Sequence, residues 1–184
     1  MDMARTAAKD TVSAVIRVID GRQLSLGTGF LVETAAKMAK AGKDVEEILH
    51  VLNDQIKRTH VFAALDTLEF LKRSGRMNRF MSSLGSLLQI KPILYMNDGV
   101  TKTEKVRTRE KALRRVVEML ESLGKVEKIA IVHTHAPAEK LKQLRELAAG
   151  LLPSASIMVE DITPVIGAHI GPGAVGFAVI TAAQ

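Results

Sequence analysis

Apolar residues recur along this chain with two different rhythms, and the change between them falls near residue 59. From Phe30 through Met38, and again from Val45 through Ile56, they repeat at the spacing of one helix face. Beyond residue 59, short apolar runs alternate with amphipathic segments. This alternation predicts an α/β fold, with strands over residues 59–65, 89–96, 100–107, 128–135, 154–162 and 175–181.

Capping residues indicate where the helices begin. Asp44, with Glu47 three positions later, has the pattern of a capping box at the start of the second helix. Asp66 is the predicted cap of the next, short helix, and Thr108 precedes a longer one. Further helices are predicted over residues 4–14, 78–88 and 137–150.

The composition allows a sizeable core and excludes several kinds of site. Hydrophobic residues make up 47% of the 184 residues but aromatic residues only 3%, so the interior is predicted to be aliphatic. The eight methionines suit either an ordinary core or a flexible apolar ligand. Without cysteine there are no disulfides and no thiolate metal sites, which fits a reducing cytoplasm. No apolar run approaches the roughly 20 residues that span a bilayer, so no integral membrane segment is predicted.

Positive charge is concentrated in residues 72–79 and 102–115, and the formal net charge is +6. Such patches attract nucleic acid, anionic head groups, phosphate or an acidic protein. Few aromatic side chains are present to stack on bases, which argues against single-stranded nucleic acid. We therefore expect no nucleic-acid partner, and a basic nucleic-acid-binding module remains an alternative suggested by charge alone.

Arginines follow two of the predicted elements. Arg76 comes just after the short helix, and Arg107 and Arg109 lie at a strand-to-helix junction. A guanidinium group matches two oxygens of a carboxylate or phosphate, so these arginines are candidates for an anion clamp. Solvated surface charge is the other interpretation of the same residues.

The histidines give no metal site. His133 and His135 flank Thr134 at the end of a predicted strand, with no carboxylate at a helpful spacing in the sequence. His50 and His60 are isolated, so a surface or structural role is expected for each. No metal or other cofactor is therefore predicted.

The stretch VIGAHIGPGAVGF (165–177) places glycines, a proline and a histidine between apolar segments. Gly167, Gly171 and Gly173 allow the backbone to turn sharply and to approach another group closely, and Pro172 stiffens the turn. His169, predicted at the tip, is then a firmly held hydrogen-bond donor or acceptor. The pattern fits a binding role as well as it fits a structural turn.

Five stretches of the chain together resemble the DegV family. They follow in the order and spacing of that family across nearly the whole chain, and their combination is far more specific than any one of them. The stretches are VIDGRQLSLGTGF (18–30), DTLEFLKRSGRM (66–77), GSLLQIKPIL (85–94), EKVRTREKAL (104–113) and PVIGAHIGPGAVG (164–176).

The resemblance implies a lipid carrier and not an enzyme. Members of the family bind one long-chain fatty acid in an apolar tunnel and present its carboxylate to a separate fatty acid kinase, which forms the acyl-phosphate. By resemblance, His169 is expected near the carboxylate, while Arg76 and Arg107 serve either the head group or the kinase-facing surface. Gly167, Gly171 and Gly173 would shape this site, and the carrier would have no catalytic residue or cofactor of its own.

The resemblance also implies a two-domain architecture of which this chain holds a part. The family's opening strand and Ser-Gly-Thr loop would precede Met1, so residues 1–58 are expected to be a remnant of a truncated N-terminal α/β domain. Residues 59–184 would form a complete C-terminal mixed-sheet α/β domain. The exposed remnant is further expected to allow a homodimer.

An enzyme of related architecture is the alternative. Domains like the phosphotransferases of dihydroxyacetone kinase attach a small ketone covalently through a histidine, so His169 would be the nucleophile. The aliphatic composition is a poor match for such a polar triose.

Overall fold

The computed structural model describes residues 2–76, 90–153 and 157–183, in which helices and strands alternate. The helices are α1 (Asp2–Asp10), α2 (Ser25–Lys40), α3 (Val45–Arg58), α4 (Glu69–Arg73), α5 (Arg109–Ser122), α6 (Ala138–Leu147) and α7 (Pro164–Ile170). The strands are β1 (Thr59–Ala64), β2 (Lys91–Asn97), β3 (Val100–Val106), β4 (Val126–His133), β5 (Met158–Asp161) and β6 (Val175–Thr181).

The six strands form one mixed sheet in the order β3-β2-β1-β6-β4-β5. Strands β4 and β5 are parallel, and the other neighbouring strands are antiparallel. Strand β6 occupies the interior of the sheet, and every residue from Val175 through Ile180 is buried. A strand that is buried on both faces needs helices on both sides of the sheet. The predicted mixed-sheet α/β fold is confirmed.

Alternate residues of the strands face two separate layers of helices. On the first face, α5 and α6 pack against Phe62 and Phe177. On the second face, Phe30 of α2 packs with Val61 of β1. Helices α4 and α7 pack together over another part of that second face, around Leu71. The second face is therefore covered by two distinct groups of helices.

The predicted helix starts at Asp44 and Thr108 are confirmed. The Asp44 carboxylate accepts the Glu47 backbone N–H at 2.8 Å, and the Glu47 carboxylate accepts the Asp44 N–H at 3.3 Å, which completes the capping box. At the start of α5, the Thr108 hydroxyl accepts the Lys111 N–H at 3.2 Å. These caps depend on residues three positions apart, and for that reason the sequence alone identifies them.

The predicted role of Asp66 is wrong. The residue at the N-cap position of α4 is Leu68, whose side chain makes no capping hydrogen bond. The Glu69 N–H at the start of the helix donates to the Thr67 hydroxyl at 3.1 Å. The Asp66 carboxylate instead pairs with the buried ammonium of Lys140. Asp66 therefore makes its charge-assisted hydrogen bond to a buried lysine, and Thr67 supplies the acceptor at the start of α4.

Three further predictions concern the limits of helices and strands. Within the described residues, β5 covers only Met158–Asp161 of the strand predicted over 154–162. The helix predicted over residues 78–88 lies outside the described residues. The stretch predicted as helical over 4–14 corresponds to α1, which buries none of its side chains.

No linker separates the segments on either side of residue 58. Helix α3 ends at Arg58 and β1 begins at Thr59, whose hydroxyl donates back to the Gln55 carbonyl at 2.6 Å. Helix α2 packs on the same sheet as the later elements. The division of the chain into a remnant over 1–58 and a domain over 59–184 stays a prediction.

Strands β1 and β6 approach each other closely at Gly176, and we expect Gly176→Ala to destabilise the fold. An added Cβ would lie 1.9 Å from the Phe62 carbonyl oxygen and 2.5 Å from Ala63 Cα. Because these are backbone atoms of the paired strand, the expected loss of unfolding free energy is about 2–4 kcal/mol. Urea denaturation measures this loss. The control is Gly150→Ala, where an added Cβ meets open space, and equal midpoints for the two variants would contradict the prediction.

Glu33 links α2 to β4, and its removal is expected to flatten the acid dependence of stability. Hydrogen bonds from Lys128 and then Lys37 lower the pKa of Glu33 from 4.5 to about 2. Since the folded pKa lies below the unfolded one, this stabilisation is present above about pH 4.5 and is lost as the pH falls toward 2. This stabilisation contributes less than about 1 kcal/mol, because the side chains of Glu33 and Lys128 are both partly in contact with solvent.

Thermal unfolding of Glu33→Gln between pH 7 and pH 2 tests this linkage. The variant is expected to be less stable than the wild type at pH 7 and equally stable near pH 2. Glu121→Gln, at an exposed position on α5, is the control. A constant difference between Glu33→Gln and the wild type over the whole pH range would exclude the proposed linkage.

Candidate ligand-binding site

An apolar cavity of about 160 Å³ lies on the second face of the sheet, between the start of α2 and the pair α4 and α7. Its floor consists of strand side chains, including Val61, Ala63, Leu94, Met96 and Val132. Its walls include Leu24 and Ser25 at the start of α2, Leu71 and Arg76 around α4, and Ile166, His169 and Ile170 of α7. The lining is mostly hydrocarbon, so the cavity suits the apolar part of a ligand.

The start of α2 is held against the sheet at this cavity. Arg22, before the helix, and Ser25, its first residue, both have left-handed backbone, with φ of 48° and 52°. The Arg22 carbonyl accepts the Gly99 N–H at 2.9 Å, and the Arg22 guanidinium contacts Asp98 at 2.9 Å, so the segment is tied to the β2–β3 turn. Gly27 then lies so close to β1 that an added Cβ would be 2.7 Å from Val61.

His169 lies in the last turn of α7 and not at the tip of a loop, so this part of the glycine-turn prediction is wrong. Pro164, at the first position of the helix, favours a helical start, and Gly167 is therefore a helix residue and not a turn residue. The His169 side chain lines the cavity. Its Nδ1 is buried without a hydrogen-bond partner among the described residues. A buried polar atom of this kind calls for a partner, which a ligand head group can supply.

Gly171 and Gly173 form the turn that leads from α7 into β6. Both have left-handed backbone, with φ of 79° and 85°. Thr134 fixes this turn: its hydroxyl donates to the Gly171 carbonyl at 2.6 Å and accepts the Ala174 N–H at 2.9 Å. The Gly173 N–H donates to the Thr134 carbonyl at 2.5 Å. The turn is therefore present as predicted, but it begins only after the histidine.

The structure separates the two arginines that the sequence singles out. Arg76 follows α4, lines the same cavity as His169, and is exposed. Arg107 is exposed between β3 and α5 and is not part of the cavity lining. Its neighbour Arg109 lies 3.7 Å from the Asp66 carboxylate, next to α4. Arg76 therefore belongs to the cavity lining, and Arg107 does not.

Tyr95 borders the cavity only through its position on β2, because its side chain lies on the first face of the sheet, against Phe62. The sequence reasoning missed its partner: the Tyr95 hydroxyl lies 2.8 Å from His60 Nδ1 on the adjacent strand β1. Burial raises the pKa of Tyr95 and lowers the pKa of His60, so both groups are favoured in their neutral forms. The pairing is visible in the sequence only once the register of β1 and β2 is known.

The histidines at 133 and 135 do have a carboxylate partner, contrary to the sequence expectation. His135 Nδ1 lies 2.6 Å from Asp161 Oδ2, and the His135 backbone N–H donates to Oδ1 at 2.9 Å. His133 Nδ1 lies 3.7 Å from the same carboxylate. The backbone N–H of His135, and then its ring, lower the pKa of Asp161. The part of the chain that the structure describes has no group of three or more residues able to hold a metal ion.

The chain matches known proteins over nearly its whole length. The model of the family described as "Uncharacterised protein, DegV family" matches residues 1–182. A DegV domain-containing protein from Clostridium acetobutylicum is 35% identical over 172 residues, covering 89% of this chain and 59% of that protein. Another from Streptomyces coelicolor is 34% identical over 184 residues, covering 97% and 64%. The chain therefore spans about three fifths of the length of these relatives.

Solved structures show the same fold. A DegV family protein from Corynebacterium glutamicum superposes with a TM-score of 0.86 at 32% identity, over 100% of this chain and 70% of that one. DegV from Bacillus subtilis, described as a fatty acid binding protein, has a TM-score of 0.83 at 31% identity, over 98% and 66%. A DegV family protein from Thermus thermophilus, described by its fatty acid binding, has a TM-score of 0.83 at 28% identity, over 98% and 66%. The shared sheet, the cavity and the match over residues 1–182 lead to one conclusion: this chain belongs to the DegV family.

Proposed function

We propose that this chain carries the fatty-acid site of a DegV-type lipid carrier. The acyl chain occupies the apolar cavity, and the carboxylate lies at the end marked by His169 and Arg76. The observation that supports this most directly is the buried, unpartnered Nδ1 of His169 on the wall of a hydrocarbon cavity. The description of the B. subtilis and T. thermophilus relatives as fatty acid binding supports the same ligand.

The cavity favours a hydrocarbon chain over a polar ligand. Each methylene group moved from water into such a cavity contributes about 0.8 kcal/mol, so the tail supplies most of the affinity. The described volume of about 160 Å³ resembles that of an engineered protein cavity that holds benzene, so a long acyl chain extends beyond it. The same lining offers the hydroxyl groups of a triose few partners, and nothing in the site favours the dihydroxyacetone alternative.

The carboxylate needs a cationic and hydrogen-bonding environment. An unpaired carboxylate in an apolar cavity is very costly, whereas a charge-assisted hydrogen bond offsets that cost. In this proposal His169 donates one such bond, and the Arg76 guanidinium, which lines the same cavity, supplies positive charge. The tail and the head group therefore meet different parts of one site.

The carrier role extends the proposal to a partner. A separate fatty acid kinase phosphorylates the bound carboxylate to the acyl-phosphate, and the exposed Arg107 contributes to the surface that this kinase recognises. The chain itself supplies positioning and not catalysis. In the described residues no helix is long and apolar enough to cross a membrane, and we place the carrier in the cytoplasm, where a kinase finds ATP.

His169→Asn is expected to weaken oleate binding about tenfold while leaving the binding of oleyl alcohol unchanged. The reason is that a hydrogen bond to a charged group contributes about 1.5–3 kcal/mol, and only oleate carries the charge. Calorimetric titration of both ligands measures the difference. Equal losses for oleate and oleyl alcohol would show that His169 acts on the tail or on the fold instead.

Two tryptophan variants on α7 provide the control for the tail. Ile166→Trp fills the cavity and is expected to abolish binding of both ligands, whereas Val165→Trp, at an exposed neighbouring position, is expected to preserve it. Mass spectrometry of an organic extract of the purified protein identifies any acyl chain already bound. If the extract contains none and oleate does not bind, the carrier proposal fails for this chain.

Arg107→Glu is expected to preserve oleate affinity and to lower the rate of acyl-phosphate formation by a purified fatty acid kinase about tenfold or more, because reversing a surface charge opposes docking. Arg145→Glu, an equally exposed position on α6, is the matched control for net charge. If both variants slow the reaction equally, the effect belongs to overall charge, and the proposed contact at Arg107 is wrong.

A further inference from the structure

Helix α6 buries a lysine at the point where the 171–173 turn enters β6. Lys140 is only 4% exposed, and its Nζ donates to Asp66 Oδ1 at 2.9 Å and to the Gly173 carbonyl at 2.5 Å. Burial lowers the pKa of Lys140, against the opposing effect of the hydrogen bond to Asp66. A buried ion pair is a poor source of net stability compared with apolar packing, so its value lies in the geometry that it specifies.

The turn lies directly against the segment that carries Asp66. A Cβ added at Gly173 would be 2.3 Å from Asp66 Oδ2, and one added at Gly171 would be 2.3 Å from the Phe70 ring. Both glycines are buried. The turn therefore fits against residues 66–70 with no spare room, and the Lys140 ammonium joins the two sides of this contact.

The same turn determines where α7 ends. The Gly171 N–H donates to the Gly167 carbonyl at 2.7 Å and closes the last turn of the helix, which contains His169. Ile170, the next residue, packs with Leu71 of α4. A shift of the turn away from Asp66 would therefore move the end of α7 and change the direction of the His169 ring.

We propose that Lys140 is a positioning residue for the head-group end of the cavity: by joining Asp66 to the Gly173 carbonyl, it holds the 171–173 turn and, through it, the His169 ring. Its effect on fatty-acid affinity rests on the proposed function, but its effect on the ring does not.

Neighbouring cations do not duplicate this link. Lys91 donates to the backbone carbonyl of Asp66 at 2.7 Å, and Arg109 approaches the Asp66 carboxylate at 3.7 Å from a largely exposed position. Both stabilise Asp66 itself. Among the described residues, Lys140 is the side chain that bonds both to Asp66 and to Gly173.

The test uses three variants on α6 and two measurements. Lys140→Met keeps the aliphatic stem and removes the ammonium. Lys142→Met removes an exposed lysine two positions away, whose Nζ lies 3.9 Å from Glu146. Leu144→Ala, a fully buried position on the other face of the sheet, destabilises the fold without touching the turn. The measurements are oleate affinity by calorimetry and the His169 ring proton signal by NMR in the ligand-free protein.

The His169 signal is one of five from histidine rings and is assigned from its absence in His169→Asn. Lys140→Met is expected to shift this signal and to weaken oleate binding about tenfold. The reason is that the variant leaves the Asp66 carboxylate and the Gly173 carbonyl without the Lys140 ammonium, so the turn is no longer held in place. Lys142→Met is expected to change neither. Leu144→Ala is expected to lower the melting temperature at least as much as Lys140→Met does, without moving the signal.

Two results would overturn the proposal: an unmoved His169 signal in Lys140→Met, or an equal shift in Leu144→Ala. If the wild type binds no oleate, the proposed function fails, and the ring signal still decides the role of Lys140. Should Lys140→Met not fold, Asp66→Asn replaces it, because it weakens the same link from the other side. A shifted signal in Asp66→Asn supports the proposal, and an unchanged one contradicts it.

Discussion

Strand β6 is the constraint on which the rest of this structure depends. It pairs with β1 on one side and with β4 on the other, and both of its faces are buried under helices. A central strand fixed in this way allows little freedom at its first residue, Val175. The turn before it must therefore enter the sheet at one point and in one direction. The position of the end of α7, which carries His169 and leads into that turn, is therefore restricted as well.

The candidate site combines a hydrocarbon lining with a buried polar side chain. The floor and most of the walls are hydrocarbon, and α7 contributes His169, whose Nδ1 is buried without a hydrogen-bond partner among the described residues. Low polarity strengthens any hydrogen bond made there and also makes an unpaired polar atom costly. Hydrogen bonds from Thr134 and Lys140 to the 171–173 turn, which follows His169, hold the backbone of that turn in place. The residues that form the hydrocarbon lining are thus different from those that fix the backbone after His169.

Local patterns in the sequence predicted much of the fold. Short apolar runs between amphipathic segments predicted the strands, and the capping box at Asp44 was recognisable because its two members lie three positions apart. The glycine stretch predicted a sharp turn, and the turn is present at Gly171 and Gly173, which have left-handed backbone. It did not indicate that Pro164 would start a helix long enough to include Gly167 and the histidine.

Patterns within a single helix or strand could not predict the long-range contacts around the site. Asp66 and Lys140 are 74 positions apart, and His135 and Asp161 are 26 apart, so neither pair is visible before the strand order is known. One signal was present: Lys140 precedes Leu144 by four positions and so shares its inward helix face. A lysine on an apolar stripe is a reason to look for a buried partner. The same argument does not identify Asp66 as that partner.

The pairing of β6 with β1 also has a consequence for synthesis on the ribosome. Thr59 pairs with Ile180, so β1 leaves the ribosome long before the strand that will cover its edge. During that interval β1 can pair with β2, but its other edge presents unpaired backbone N–H and C=O groups. Such an edge attracts strands of other nascent chains. The sheet therefore leaves β1 without one of its two neighbouring strands until β6 has been synthesised.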